Sequence, residues 1–238
     1  MKAHILGHSP RATRPAAEPP GADRTRPPPG EISLVSTGRL EAFSDGVIAV
    51  AITLLVLNID VPHLSFGETL AHGLAQQWPV YAAYVTSFLT IGIIWINHHA
   101  MIGRLREADH AILFLNLLLL MSIAVLPFAT KLMAAYLREN NGQHLAAAIY
   151  SGSFLVMAVL FSILNIHILL VKHAKLSQPL SEERRRQILA RSISGVVPYA
   201  IATALALLSS YLTLAICLAV AVFYALPIAS GGTEQAQL

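Results

Sequence analysis

The stretch Arg39–Val61, RLEAFSDGVIAVAITLLVLNIDV, constrains this chain more than any other. It is apolar enough to be a membrane helix, yet it carries Arg39, Glu41, Ser44, Asp45, Thr53 and Asn58. With a rise of about 1.5 Å per residue, about 20 residues span roughly 30 Å of hydrocarbon. Asp45 then lies about 9 Å along the helix from Arg39, inside the low-dielectric slab. A carboxylate there costs roughly 2.5–3.5 kcal/mol on insertion scales unless it is paired or faces water. A plain lipid anchor has no use for such a group, so the stretch predicts polar partners on neighbouring helices.

A helical wheel divides the stretch into two faces. Gly46, Val50, Thr53, Leu54 and Leu57 fall on one stripe about 100° wide, and Ser44 and Asp45 point away from it. One helix cannot enclose a pore, but several copies around an axis can. Four copies would set Val50, Leu54 and Leu57 as stacked apolar rings and Thr53 as a ring of hydroxyls. Narrow apolar rings gate by dewetting, and hydroxyl oxygens partly replace an ion's lost water. Taken alone, such a stripe is more often a helix-packing surface than a pore lining. The chain has no TVGYG-type loop, so any potassium selectivity must arise in another way.

Composition agrees with a membrane protein. Of 238 residues, 55% are hydrophobic and only 12% charged, which places the chain among integral membrane proteins and not soluble domains. The single cysteine, Cys217, sits in an apolar run, so one chain holds neither a disulfide nor a cysteine metal site.

Residues 1–37 are rich in Pro and Arg, with seven of the 13 prolines before Glu31, and read as a disordered cytoplasmic tail. A six-helix transmembrane domain is expected over 38–229, followed by a short cytoplasmic tail at 230–238. The first helix ends near Asn58 to Pro62, and an acidic loop follows from Asp60 to Gln77. Trp78-Pro79 opens the second helix, which runs to about Gly103, with Pro in a tolerated first turn. The third segment runs from about His110 to Tyr136 with a kink at Pro127. The fourth runs from about His144 to Val171, where the pairs Ala147/Ser151 and Ala148/Gly152 permit close packing. Lys172 to Arg191 is a basic polar connector. The next 37 residues, Ser192 to Ile228, are apolar, too long for one span and enough for two short ones, divided near Ser209-Ser210.

Basic residues set the orientation. With both termini inside, 14 of the 16 Lys and Arg fall on cytoplasmic segments, and only Lys131 and Arg138 fall outside. His98 and His99 then lie about one and a half turns above the inner surface, at a depth similar to that of Asp45. Asp45 and Ser44 are expected to hydrogen-bond to His98 or His99, with Arg39 and Trp95 nearby, since buried polar groups in lipid must be satisfied. Unrelated groups snorkelling at the inner boundary are the alternative.

Other chemistries fit poorly. Adjacent residues on a helix diverge by about 100°, so His98 and His99 do not easily hold one metal ion. The same divergence separates Ser44 from Asp45, and no nucleophile-elbow glycines surround Ser44, so an enzyme is not expected. No phosphate-binding glycine loop or nucleic-acid module occurs.

The run Arg39-x-x-x-Phe43-Ser44-Asp45-Gly46, followed by Ala51-Ile52-Thr53-Leu54-Leu55-Val56-Leu57, resembles the first-helix signature of the transmembrane protein 175 family of endolysosomal and bacterial potassium channels. The likeness continues in Trp95-x-x-His98-His99, in Leu115-Asn116-Leu117-Leu118 and in Pro127-Phe128, and covers about 190 residues from Arg39 onward. It implies a homotetramer of six-helix subunits with the first helix lining the pore. Val50 matches a constricting position where the family usually has isoleucine, and valine is shorter by one methylene. Thr53 matches a threonine tied to selectivity in animal members, and Leu54 and Leu57 match bulky pore-facing positions. Arg39, Phe43, Ser44 and Asp45 match a motif that joins the pore helix to its neighbours. A single copy of the motif points to the bacterial form and hence to an inner membrane.

The expected protein is an all-α, homotetrameric, potassium-favouring cation channel in a lipid bilayer. Monovalent cations, K+ passing near Thr53, are its permeant partners, and no resident cofactor or metal is expected. A proton-coupled transporter with Asp45, His98 and His99 as a relay stands as the alternative, and a non-conducting membrane scaffold as a third class.

Overall fold

A computed structural model describes residues 36–171, 176–177 and 180–226. The expected Pro/Arg-rich tail, except for Ser36 and Thr37, and the expected tail at 230–238 lie outside the described residues. The fold is all-helical, and an isolated antiparallel bridge joins Leu105 to Leu176. α1 spans Thr37–Leu54 and tightens into a 3₁₀ turn at Leu55–Asn58. α2 is short, Leu70–Gln76, and α3 is long, Trp78–Ile102. α4 (His110–Ala124) and α5 (Leu126–Tyr136) follow, then α6 (Gln143–Ile166), which passes into a π turn at His167–Val171. α7 (Glu182–Ser194), α8 (Val196–Leu205) and α9 (Ser210–Ala225) complete the described chain. Among the described residues, five helical stretches are long and apolar enough to cross a membrane, and α9 is a sixth, shorter apolar helix.

Local chemistry explains the boundaries. The expected kink is a one-residue interruption at Val125, which keeps right-handed helical dihedrals, so α4 and α5 form one apolar span, His110–Tyr136; Pro127 has no N–H for the carbonyl four residues back and its ring crowds that turn. Asn58 Nδ2 donates to the Pro127 carbonyl at 3.1 Å and so ties the end of the first span to this interruption. α9 begins at the expected division, where Ser209 Oγ accepts from Leu212 N and caps the helix.

Two segments differ from expectation. The loop after α1 contains α2, capped by Thr69, whose Oγ1 accepts from His72 N. The basic connector is helical from Glu182. Ser181 Oγ accepts from Arg184 N, and Glu182 and Glu183 sit in the first turn, where the helix dipole favours negative charge. A connector judged by its charge alone hides these helix-starting signals.

α6 is the hub, packing against α4, α5, α7, α8 and α9. Its small-residue face meets α8: Ala147 and Ser151 are buried, and a Cβ on Gly152 would sit 4.0 Å from Thr203 Cγ2. Its aromatic face forms the core, where Tyr150 meets Phe154 edge-on at 4.7 Å between centroids. Ser87 of α3 lies 2.7 Å from Thr130 Oγ1 of α5 and 3.1 Å from the Tyr150 hydroxyl, so a buried hydroxyl cluster joins three helices. α1 sits at the edge of this bundle, packed mainly on α3 and α4.

Candidate functional site

α1 presents two distinct faces. Leu40, Ser44, Ile48, Ala51 and Leu55 recur every three or four residues and are all buried against the bundle. The opposite face holds Phe43, Val50, Leu54 and Leu57, which are 57%, 57%, 42% and 67% exposed. Gly46 and Thr53 are exposed on the same side. Phe43, Gly46, Val50 and Leu54 line a shallow apolar depression closed at one edge by Ala124 of α4. Thr53 Oγ1 donates to the Val50 carbonyl at 2.9 Å. Its only proton is then spent on the helix, and the oxygen lone pairs remain as acceptors.

The buried face is fastened by a one-way hydrogen-bond chain. Ser44 Oγ donates to the Leu40 carbonyl at 2.8 Å and accepts from Asn116 Nδ2 at 2.9 Å. Asn116 Oδ1 in turn lies 2.7 Å from His98 Nε2. Because the Asn116 amide nitrogen faces Ser44, its oxygen accepts, and Nε2 of His98 carries the proton. Ser44, Asn116 and His98 are all almost fully buried and come from α1, α4 and α3 in turn. The other ring nitrogen, His98 Nδ1, is buried without a partner among the described residues.

A second set of contacts runs along the rim between α1 and α3. Trp95 Nε1 donates to Asp45 Oδ1 at 2.9 Å. His99 Nδ1 meets Glu41 Oε1 at 2.8 Å. The Trp95 and His99 rings, one turn apart on α3, lie 6.1 Å apart and are tilted by 38°. Glu41, Asp45 and His99 place their ligand-type atoms within 4.8 Å of one another, the chemistry of a cation site. Each carboxylate already has a nitrogen partner there, and those contacts account for the geometry.

The residues expected to cluster do gather where α1, α3 and α4 meet, but with different partners. Neither Asp45 nor Ser44 bonds directly to a histidine: Asp45 takes Trp95, and Ser44 reaches His98 only through Asn116. Depth matching along two helices ignores azimuth, and on α3 His98 and His99 diverge toward different neighbours. Arg39 is exposed and takes no part in the chain of bonds. Two participants were not among the expected site residues. Glu41 lies four residues before Asp45, on the same side of α1. Asn116 is the one polar side chain in the run Ala111–Met121, and that isolation was its signal.

Comparison with known proteins follows the same residues. The family model described as endosomal/lysosomal potassium channel TMEM175 matches residues 39–127. A potassium channel of Streptomyces collinus is 44% identical over 191 residues, 79% of this chain and 91% of that protein. A potassium channel of Chamaesiphon minutus is 40% identical over 197 residues, 80% of this chain and 94% of that protein. The crystal structure of a lysosomal potassium-selective channel TMEM175 homolog from Chamaesiphon minutus is similar, with a TM-score of 0.71 at 38% identity. It covers 82% of this chain and 98% of that one. With relatives matched over nine-tenths of their length and a shared helical architecture, this chain belongs to the TMEM175 family.

Proposed function

We propose that the chain is the subunit of a potassium channel, a homotetramer in which four copies of α1 surround the conduction path. One observation carries the pore assignment. The α1 face opposite the bundle is apolar, uncovered and broken only by Gly46 and the Thr53 hydroxyl, while the other face is locked by buried hydrogen bonds. A helix held that firmly on one side is suited to keep a narrow passage on the other. Val50, Leu54 and Leu57 are the ring-forming residues, and Thr53 offers oxygens to passing K+. Arg39, Phe43, Ser44, Asp45, Trp95, His98 and His99 surround the fastening, with Phe43 exposed toward a neighbouring subunit. Conduction is passive and needs no cofactor. The distribution of Lys and Arg supports an orientation with both termini on the cytoplasmic side of a bacterial inner membrane.

The hydrogen bonding favours this reading over a proton relay. Asp45 pairs with Trp95, His98 with Asn116 and Glu41 with His99, and no bond joins Asp45 to either imidazole among the described residues. The test is flux from purified protein in liposomes under a potassium and then a sodium gradient. Rapid, non-saturating flux with potassium ahead of sodium supports the channel. Saturable flux that needs a pH gradient overturns it.

A further inference from the structure

The bundle holds a second polar feature that conduction along α1 does not use. A cavity of about 340 Å³ lies among α3, α6, α7, α8 and α9, with no α1 residue in its wall. Its lining changes character along two helices. On α3 it passes from Ile93 and Ile94 to Asn97, and then to Arg104 just beyond the helix end. On α6 it passes from Met157 and Phe161 to Asn165. α7 supplies Arg184 and Arg191 at the polar end. An apolar depth with an arginine mouth has the profile of an amphiphile with an anionic head.

The charges around the mouth point to an occupant. No Asp or Glu lines the cavity among the described residues, and Glu182 pairs with Arg185 instead, at 3.7 Å. The wall therefore offers Arg184 and Arg191 no acidic partner among the described residues.

We propose that this cavity binds an anionic phospholipid. The phosphate sits between Arg184 and Arg191, whose guanidinium forks match its oxygens. An acyl chain runs along Ile93, Ile94, Met157 and Phe161. The arginine end lies on the side that the basic loops assign to the cytoplasm, where anionic headgroups are presented. The site rests on membrane insertion of the bundle and not on ion conduction.

The test uses the full chain, purified and delipidated in detergent, with phosphatidylglycerol, phosphatidylcholine of the same chains, and inorganic phosphate as probes. Native mass spectrometry reads the lipid retained. The wild type is expected to retain phosphatidylglycerol about tenfold over phosphatidylcholine, the scale of charge-assisted hydrogen bonds. Arg184→Gln/Arg191→Gln abolishes that preference, Arg186→Gln, outside the cavity, keeps it, and millimolar inorganic phosphate does not displace the lipid. Ala100→Trp, which fills the cavity from an exposed position, lowers retention of both lipids without touching an arginine. Equal preference in the double variant and the wild type overturns the proposal. Displacement by inorganic phosphate overturns it as well and assigns the mouth to a free anion. Equal retention of both lipids in the wild type reduces the cavity to an apolar groove.

Discussion

Trp95 on α3 donates its indole N–H to Asp45 on α1 at 2.9 Å, and one turn away His99 meets Glu41 at 2.8 Å. Moving four residues up α1 matches moving four residues back along α3, as antiparallel helices require. The two contacts are therefore rungs of one ladder, and they fix the rotation of α1 about its own axis. Because the exposed stripe lies on the other side of the same helix, that rotation also decides which residues face outward.

The Trp95–Asp45 rung separates the role of the charge from the role of the bond. Asp45→Asn keeps a carbonyl oxygen for the indole donor and loses only the charge. Trp95→Phe removes the donor and leaves a half-buried carboxylate without it. The expected order of thermal stability is wild type, then Asp45→Asn, then Trp95→Phe, the last lowered by about 1–2 kcal/mol, the upper range for interhelical hydrogen bonds in membranes. Melting of the detergent-solubilised protein, followed by size-exclusion fluorescence, gives the ranking. A Trp95→Phe protein that melts with the wild type would remove the rung from any account of α1.

The sequence made the membrane class, the α3 start at Trp78-Pro79 and the α8–α9 division legible, because each rests on local chemistry: apolar run length, a first-turn proline and a serine cap. The gathering of Ser44, Asp45, Trp95 and His98 at one junction was legible as depth. Their pairing was not, because it depends on the azimuth of three helices at once, which no single helical wheel supplies. Asn116 shows the difference. As a lone amide in an apolar run it signals a buried partner, but only the packed bundle reveals that it joins Ser44 to His98. The helix at Glu182–Ser194 was hidden for another reason: its mean character is polar, and the helical signal lies in the Ser181 cap and the two glutamates after it.

Asn116 is expected to be the costliest single loss in the fastening. Asn116→Leu leaves the buried His98 Nε2–H without an acceptor and the Ser44 oxygen without its donor, though Ser44 keeps its bond to the Leu40 carbonyl, whereas Ser44→Ala leaves only one Asn116 N–H unmatched. A buried donor without a partner costs about 1–3 kcal/mol. Asn116→Leu should therefore destabilise more than Ser44→Ala, and the double variant should be barely worse than Asn116→Leu alone. A double-mutant cycle on melting temperature reads this, and simple additivity would show that the two side chains act independently.

The apolar rings predict opposite effects from opposite volume changes. Leu54→Ala removes bulk from a proposed constriction and should raise flux while narrowing the preference for potassium over sodium. Val50→Ile adds one methylene and should slow flux severalfold with the preference kept, since a tighter apolar ring dewets more readily. Both residues are exposed in the subunit, so neither change should disturb its folding. Paired liposome flux measurements under potassium and sodium gradients test this. Potassium flux unchanged in both variants would move the passage away from α1.

Gly46 offers a test that does not depend on constriction size. A Cβ at Gly46 would meet nothing within 4 Å inside the subunit, so larger side chains fit without strain there. If this face looks toward lipid, Gly46→Leu is as harmless as any apolar change on a lipid-facing helix, and flux and assembly both match the wild type. If four copies of α1 converge, four leucines meet near one axis at the level of Gly46, and flux should fall by about tenfold or more, the scale of a barrier raised by about 1.4 kcal/mol. Gly46→Ala, with one carbon per subunit, should give an intermediate loss. The graded series distinguishes crowding at an axis from a folding defect, because a folding defect would also lower the yield of assembled protein. Wild-type flux in Gly46→Leu would place this face against lipid and end the assignment of α1 as the pore helix.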